Sequence, residues 1–245
     1  MEYKYKRHET IAKALANFNA DFLEKNNVLF GGGTRIAMEL GEYRESVDID
    51  FLCPDIQSYR EVRKQVTSNA LGDITREPFD LSREVRFDRY GVRTIINVDD
   101  TPIKLELVSF ADYRLNKDNA SSLPVPSIDR ESCYVTKLLA HADRSAMPDN
   151  KDFIDLMMMH SHWGAPSKNA WAEVERHYGQ APKQTLEKAL NGFIDNPEKI
   201  YAAAAKLHMD SPALKDQLLE SAQVWQSRLE LKKEGPNADQ SFDMQ

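Results

Sequence analysis

The sequence predicts an α+β fold, in which a mixed sheet with flanking helices is followed by an all-helical C-terminal region. Two short apolar segments enclose a glycine turn and a short helix between residues 28 and 53. Residues 74–110 then alternate polar and apolar side chains, which is typical of strands with one buried face. From Asp129 onward, the apolar residues recur only at helical spacing. These observations together predict the fold class.

The first half of the chain contains the predicted sheet. An apolar stripe at Ile11, Leu15, Phe18 and Phe22 predicts one long helix before it. Residues 99–102 form a predicted hairpin turn between the last two strands. The predicted elements are a helix over 8–26, strands over 28–30 and 47–53 on either side of a short helix that ends near residue 40, a polar helix over 58–70, and a meander of strands over 83–89, 92–98 and 103–109.

The second half of the chain is predicted to be helical. A segment rich in serine and proline at residues 120–127 marks the boundary between the two halves. The predicted helices cover 129–146, 150–163 with Asn150 as N-cap, 167–178, 182–194, 197–208 and 212–233, the last one stopped by Gly235-Pro236. The predicted divisions are a catalytic domain at 1–125, a helical domain at 126–235 and a disordered tail at 236–245.

The composition is that of an ordinary soluble globular protein, with 41% hydrophobic and 29% charged residues. No apolar run approaches the roughly 20 residues of a membrane span, and Met1–Thr10 lacks the apolar core of a signal peptide. Cys53 and Cys133 have no metal-binding spacing, so we expect buried thiols in a reducing cytoplasm. The net charge of −7 excludes a surface that is basic throughout, so a nucleic-acid contact requires a local basic patch.

The glycine turn and the acids that follow it carry the predicted chemistry. Gly31–Gly33 permit a tight turn whose backbone N–H groups can approach an anion. Thr34 is expected to cap the next helix, with Gly41 just beyond its end. Asp48 and Asp50 lie two apart on a strand, so both side chains point the same way and repel each other. A divalent cation such as Mg²⁺ between them would relieve this repulsion.

The order of these features resembles the polymerase-β-type nucleotidyltransferase superfamily. The form Arg44-x-Ser46-x-Asp48-x-Asp50 is similar to one branch of it, the AbiEii/AbiGii toxin family. The resemblance implies a polymerase-β-like sheet, a nucleoside triphosphate substrate and two Mg²⁺ ions held by three carboxylates. Each part alone has a simpler interpretation, because glycine runs are usually turns and Asp-x-Asp is usually a solvated strand face.

Glu106 is the third acid that the resemblance implies, on a later strand next to the acid pair. It is also the candidate base that activates an attacking hydroxyl. Family members more often have aspartate at this position. The alternative is an exposed glutamate paired with Lys104, which lies on the same strand face and is itself a candidate nucleotide-binding residue.

Further residues are implied to hold the nucleotide. Backbone N–H groups of the glycine turn would bind the β- and γ-phosphates at the helix N-terminus. Ser46 would contact a phosphate, and Arg44 would either do so or brace the loop. The candidate nucleotide-binding residues in this half are Gly32, Gly33, Thr34, Arg44, Ser46 and Lys104.

A helix of the second half presents Lys137, His141 and Arg144 on one face. The family resemblance implies that Lys137 meets the triphosphate, together with Arg144 and with Asp152 and Asp155 on the next helix. Asp155 would orient Lys137 or contact the nucleotide. Lys151 stands where the family usually has arginine, which makes bidentate binding less suitable there. The alternative is a solvated helix face.

The resemblance implies three candidate functions. The first is an Mg²⁺-dependent nucleotidyltransferase that adds NMP from an NTP to RNA, such as the acceptor end of tRNA. It would act in the cytoplasm as the toxin of a toxin–antitoxin or abortive-infection pair, with an antitoxin protein as partner and no membrane. The second is a small-molecule nucleotidyltransferase of the aminoglycoside-modifying kind, which the acidic pI favours. The third is a non-catalytic regulatory module of the same fold.

Overall fold

The computed structural model describes residues 3–145, 151–209 and 211–234. For residues 231–234, only the backbone is described. Within these residues, five strands form one mixed sheet in the order β1-β2-β5-β4-β3. The strands are β1 (Leu29–Gly31), β2 (Asp48–Cys53), β3 (Asp80–Asp88), β4 (Gly91–Val98) and β5 (Thr101–Ser109). The predicted mixed sheet with its antiparallel meander is confirmed.

The parallel pairing of β2 with β5 determines which side chains meet at the centre of the sheet. β1 and β4 run antiparallel to their neighbours, whereas β2 and β5 run the same way. The register sets Asp48 opposite Lys104 and Asp50 opposite Glu106. Directly paired residues point to the same face of a sheet, so this face carries the two predicted aspartates and the predicted third acid.

Helices pack on both faces of the sheet and supply all the regular secondary structure that is described after residue 129. The first are α1 (Lys6–Asn17), α2 (Ala20–Lys25), α3 (Gly32–Glu39) and α4 (Ile56–Gln65), with a short 3₁₀ turn at Gly72–Ile74. The others are α5 (Arg130–Arg144), α6 (Lys151–Trp163), α7 (Lys168–Tyr178), α8 (Ala181–Asp195), α9 (Glu198–Ala205) and α10 (Pro212–Glu234). The boundary near residue 125 stays a prediction.

Two apolar clusters hold these layers together. Ile49, Phe51 and Leu105 project from one face of the sheet and pack with side chains of α1, α2 and α4. On the opposite face, Leu29 and Leu52 join a cluster that continues into α3, α5 and α6 and through the C-terminal helices. The acids of β2 lie on this second face, between the sheet and the helices.

The prediction of a single helix over residues 8–26 is wrong, because the helix is interrupted between Asn17 and Ala20. Phe18 leaves the helix to form a bridge with Thr75, and its ring packs in the core against Phe51. The Asn19 side chain then accepts a hydrogen bond from a backbone N–H and caps α2. The apolar stripe continues through the break, so periodicity alone does not show it.

Other differences concern helix ends. α3 starts at Gly32 with Gly31 in the N-cap position, so the prediction that Thr34 caps this helix is wrong. Gly41 has φ +68°, as expected just beyond a helix end. α4 starts earlier than predicted, because Asp55 caps it. The predicted cap Asn150, the stop at Gly235-Pro236 and the tail at 236–245 lie outside the described residues.

Candidate active site

A cavity of about 490 Å³ opens on the acid-bearing face of the sheet. Its walls are β2, β5, the glycine turn, α5 and α6, and the segment after α9 closes one side with Lys206 and His208. The predicted site residues that line it are Gly32, Gly33, Arg44, Ser46, Asp48, Asp50, Lys104, Glu106, Lys137, Arg144 and Asp152. Thr34 and Asp155 lie behind this wall, both buried.

The acid pair concentrates negative charge on the wall of the cavity that the sheet forms. Ile49 between the two aspartates is buried in the core, which leaves Asp48 and Asp50 on the cavity side. Partial burial, and then the charges of Asp48 and Glu106, raise the pKa of Asp50 to about 6, although Lys137 and Lys104 act in the opposite direction. The neighbouring carboxylates therefore disfavour the ionised form of Asp50, and a bound cation would favour it.

Glu106 is already held by two cations. Its Oε2 lies 2.7 Å from the Lys104 ammonium, and its Oε1 lies 3.2 Å from Nε of Arg93. The Lys104 pair that the sequence offered as an alternative for Glu106 is therefore present. Arg93 was missed by sequence reasoning, because only the strand register places it beside this acid.

The donor set fits a hard divalent cation. Asp48, Asp50 and Glu106 offer carboxylate oxygens from neighbouring positions of adjacent strands, and Mg²⁺ prefers such ligands. Among the described residues, no group of three His, Cys, Asp or Glu side chains is already arranged around a metal position. Both oxygens of Glu106 contact other cations, Lys104 and Arg93.

The glycine turn brings its backbone directly against the acids. Gly32 has φ +71°, and a Cβ atom at this position would overlap the Asp50 carboxylate. A Cβ atom at Gly33 would overlap the guanidinium of Arg44. No side chain therefore fits between the turn and these two residues, and the first N–H groups of α3 are left beside the cavity.

Thr34 ties the turn to the acid strand. Its hydroxyl lies 2.5 Å from the carbonyl oxygen of Asp48 and 2.8 Å from the hydroxyl of Ser46. Because a hydroxyl carries one proton and a carbonyl can only accept, Thr34 donates to Asp48 and accepts from Ser46. Thr34 therefore fixes the start of β2, and the side chains of Thr34 and Ser46 bind each other.

A buried histidine supports the same segment from behind. The backbone N–H of Ser46 donates to Nε2 of His8 at 2.9 Å. Nδ1 of His8 therefore carries the proton, and it donates to Glu42 at 2.6 Å. Sequence reasoning missed this contact, because no spacing links His8 in the first helix to a residue 38 positions later.

Arg44 braces two parts of the chain. Its Nε and Nη2 donate to the two oxygens of Asp155 at 2.7 and 2.9 Å, and the Tyr43 hydroxyl donates to Asp155 at 2.6 Å. Burial alone would raise the pKa of Asp155, but Arg44 and Lys137 hold it well below its usual range. Of the two predicted roles for Arg44, the bracing role matches these contacts.

Lys137 completes this buried charge network. Its Nζ lies 2.6 Å from Asp155 and 2.9 Å from Asp152, and Asp152 is also 2.6 Å from Arg144. The alternative of a solvated helix face is wrong for Lys137, whose side chain is only 9% exposed. An ammonium has three N–H donors, so one is left for the cavity that Lys137 lines. His141 lines a different cavity.

We expect Gly32→Ala to inactivate the site. The new methyl group would displace the Asp50 carboxylate, and positive φ adds strain of roughly 1–2 kcal/mol. Gly41→Ala is the matched control, since Gly41 has φ +68° and nothing within 4 Å of the added carbon. Both variants share the strain of positive φ, Gly32→Ala should lose more stability in thermal unfolding because of the overlap with Asp50, and only Gly32→Ala should lose activity. Equal activities would show that the turn does not position Asp50.

A mixed sheet with acids beside a glycine turn is the arrangement that the sequence predicted for a nucleotidyltransferase. Two crystal structures share this fold. One is JHP933 from Helicobacter pylori, with TM-score 0.56 and 16% identity over 98% of this chain and all of that one. The other is a protein from H. pylori provisionally assigned as a nucleotidyltransferase, with TM-score 0.55 and 17% identity over 96% of this chain and all of that one.

The particular family follows from the sequence. The profile of the nucleotidyl transferase AbiEii toxin family, of type IV toxin–antitoxin systems, matches residues 13–238. The chain belongs to this family and is a nucleotidyltransferase, which confirms the predicted resemblance. Among proteins with curated descriptions, none matches the sequence. Over the described residues, no helix combines the length and apolar character needed to cross a membrane.

Proposed function

We propose that the protein transfers NMP from a nucleoside triphosphate to a hydroxyl of an RNA acceptor, such as the acceptor end of tRNA, and releases pyrophosphate in an Mg²⁺-dependent reaction. The observation that carries the proposal is the set of Asp48, Asp50 and Glu106 on one wall of the cavity, beside the glycine turn. The carboxylates, which can hold a cation, and the backbone N–H groups of the turn, which can donate to a phosphate, both face this cavity. This is the arrangement that nucleotidyl transfer requires.

The triphosphate would lie between the glycine turn and α5. Backbone N–H groups at the start of α3 are free of side-chain obstruction, and the partial positive charge of the helix N-terminus favours phosphate. Lys137 would contribute its remaining N–H, and Arg144 and Lys206 add positive charge at the same cavity. Asp152 and Asp155 would act by holding Lys137 in place.

The three acids would hold Mg²⁺, which neutralises charge on the phosphoryl oxygens when it is bound. Glu106 would exchange its contacts with Lys104 and Arg93 for this role. A freed Lys104 would then face the phosphates, and Glu106 would accept the proton of the attacking hydroxyl. Thr34 and His8 would keep the start of β2 fixed while this exchange occurs.

Family membership supports a biological role as the toxin of a pair whose antitoxin is a protein partner. We place the reaction in the cytoplasm, where nucleoside triphosphates and tRNA occur together. The two cysteines are free buried thiols, as expected there. A small-molecule acceptor is the alternative that the acidic pI of about 5.5 favours.

The test is label transfer. The protein is incubated with each α-labelled nucleoside triphosphate, Mg²⁺ and total bacterial RNA, and RNA and small molecules are separated. We expect label in RNA of tRNA size, dependent on Mg²⁺ and absent after chelation. Label only in small molecules would overturn the RNA acceptor, and label transfer that persists in chelator would overturn the metal dependence.

A further inference from the structure

The strand register extends the acid-bearing face into two rows of side chains that cross the sheet. One row runs from Asp50 through Glu106 and Arg93 to Arg86. Residues paired in this way point to the same face, so cations on β4 and β3 continue the line that begins at the catalytic acids. The second row reads Asp48, Lys104, Ile95 and Arg83.

This outer half of the face is open to solvent. The opposite face of the same strands is buried, with Val85, Ile96 and Leu105 in the core. Lys104 and Arg93 are 50% and 42% exposed, and the outer arginines, Arg83 and Arg86, are also exposed. We call the four cations Arg83, Arg86, Arg93 and Lys104 the basic rows.

The charges of the two outer members of the basic rows, Arg83 and Arg86, are not paired with an acidic side chain that the structure describes. Arg93 contacts Glu106 and Asp88, and Lys104 contacts Glu106. Arg83 and Arg86 make no side-chain hydrogen bond or ion pair with any residue that the structure describes. In a chain of net charge −7, two adjacent free arginines on the exposed continuation of an active-site face mark a local site for a polyanion.

We propose that the basic rows bind the backbone of a single-stranded RNA acceptor and direct its reactive end to the acids. This inference rests on the proposed function and specifies where the acceptor lies. Strands are about 4.8 Å apart, so three strand spacings place Arg86 roughly 14 Å from Asp50. That is a path for a few nucleotides, with phosphates on the cations and the terminal hydroxyl at Glu106.

Two observations favour RNA over an acidic protein as the occupant. The rows are linear and end at the catalytic acids, so a bound chain would lead directly into the cavity. Tyr90, in the β3–β4 turn at the edge of this region, is 56% exposed. The guanidinium of Arg89 lies over its ring, so a base can stack on the ring face that Arg89 leaves open.

The experiment measures binding of a labelled single-stranded RNA of about a dozen nucleotides by fluorescence anisotropy, without nucleotide, in a salt series. The variant is Arg83→Ala/Arg86→Ala. The matched control is Arg60→Ala/Arg76→Ala, which removes two exposed arginines from elements that pack on the opposite face. Thermal unfolding establishes that both variants fold, and binding of a non-hydrolysable triphosphate reports on the cavity.

We expect Arg83→Ala/Arg86→Ala to weaken RNA binding roughly 10- to 30-fold near 0.1 M salt. The salt slope should fall by about 1.4, because each lost phosphate contact on a single strand removes about 0.7. The control should bind RNA as the wild type does, and triphosphate binding should be unchanged in both variants.

The outcomes separate this inference from the proposed function. Equal RNA binding by the two double variants, or no RNA binding by the wild type, would overturn the basic rows as an acceptor path. Displacement of RNA by poly-L-glutamate at equal charge concentration would reassign them to an acidic protein. Failure of label transfer to RNA, with RNA binding that depends on Arg83 and Arg86, would overturn the proposed reaction and leave the binding surface intact.

Discussion

Asp50→Asn is expected to abolish nucleotidyl transfer and to raise the thermal stability of the metal-free protein at neutral pH. The substitution preserves the shape of the side chain and removes its charge. Loss of a proposed metal ligand should lower the rate at least about 1000-fold, since electrostatic stabilisation at one position accounts for roughly 100- to 1000-fold in other enzymes, and the proposed metal binding would be weakened as well. Asp48→Asn should lose activity to the same extent.

The stability gain has a defined pH dependence. The pKa of Asp50 in the folded protein is raised to about 6, above its ordinary value of 3.8, because of burial and the charges of Asp48 and Glu106. A raised carboxyl pKa means that the folded state binds the proton more tightly than the unfolded state. Stability from this group is therefore present at low pH and is lost as the pH rises through about 6.

Thermal unfolding at several pH values measures this effect. Asp50→Asn should exceed the wild type in Tm at pH 7 and above, and the difference should shrink as the pH falls from about 6 to about 4. Asp100→Asn is a control at an exposed hairpin position, and it should match the wild type throughout. An Asp50→Asn protein that is active would exclude a catalytic role for Asp50, and one that fails to fold would indicate a structural role.

The local features of the site were predictable because each depends on short-range geometry. Two acids separated by one apolar residue on a strand must share a face, and three consecutive glycines allow a turn that no side chain obstructs. The family resemblance then identified Glu106, although the sequence does not show that β5 pairs with β2 rather than with another strand. The parallel register that sets Glu106 opposite Asp50 is a property of the whole sheet.

The contacts that the sequence does not show join residues far apart in the chain. Helical spacing places Lys137 on a face, but cannot show that Asp155 and Arg44 bury that face. The same limit applies to His8 behind Ser46. Arg86 was not found because irregularities in the β3–β4 pairing shift the register between Arg83 and Arg86, so simple alternation does not predict which side chains share the acid face.

Asp155→Ala is expected to cause the largest loss of stability among the site residues. Asp155 is fully buried and accepts hydrogen bonds from Tyr43, Arg44 and Lys137. Its removal leaves two buried cations with too few acceptors, and breaking a buried ion pair in this way costs about 3–5 kcal/mol. Chemical denaturation monitored by circular dichroism measures the free energy of unfolding.

Asp152→Ala is the matched control, on the same helix and in the same network. Its partner Arg144 is 41% exposed, so water can replace the lost carboxylate there, and Lys137 keeps Asp155. We therefore expect a smaller loss, about half or less of that for Asp155→Ala.

A double-mutant cycle tests whether Asp155 and Arg44 act as a unit that joins the loop before β2 to α6. If they do, Arg44→Ala should destabilise the protein strongly, and Arg44→Ala/Asp155→Ala should lose clearly less than the sum of the single losses, because the second change removes a charge that the first left unpaired. The coupling should lie at the upper end of the roughly 0.5–3 kcal/mol seen for contacting residues. Additive losses, or a loss below about 1 kcal/mol for Asp155→Ala, would show that the network does not hold the helical region against the acid strand. Asp152 would then be the partner that holds the ammonium of Lys137 beside the cavity.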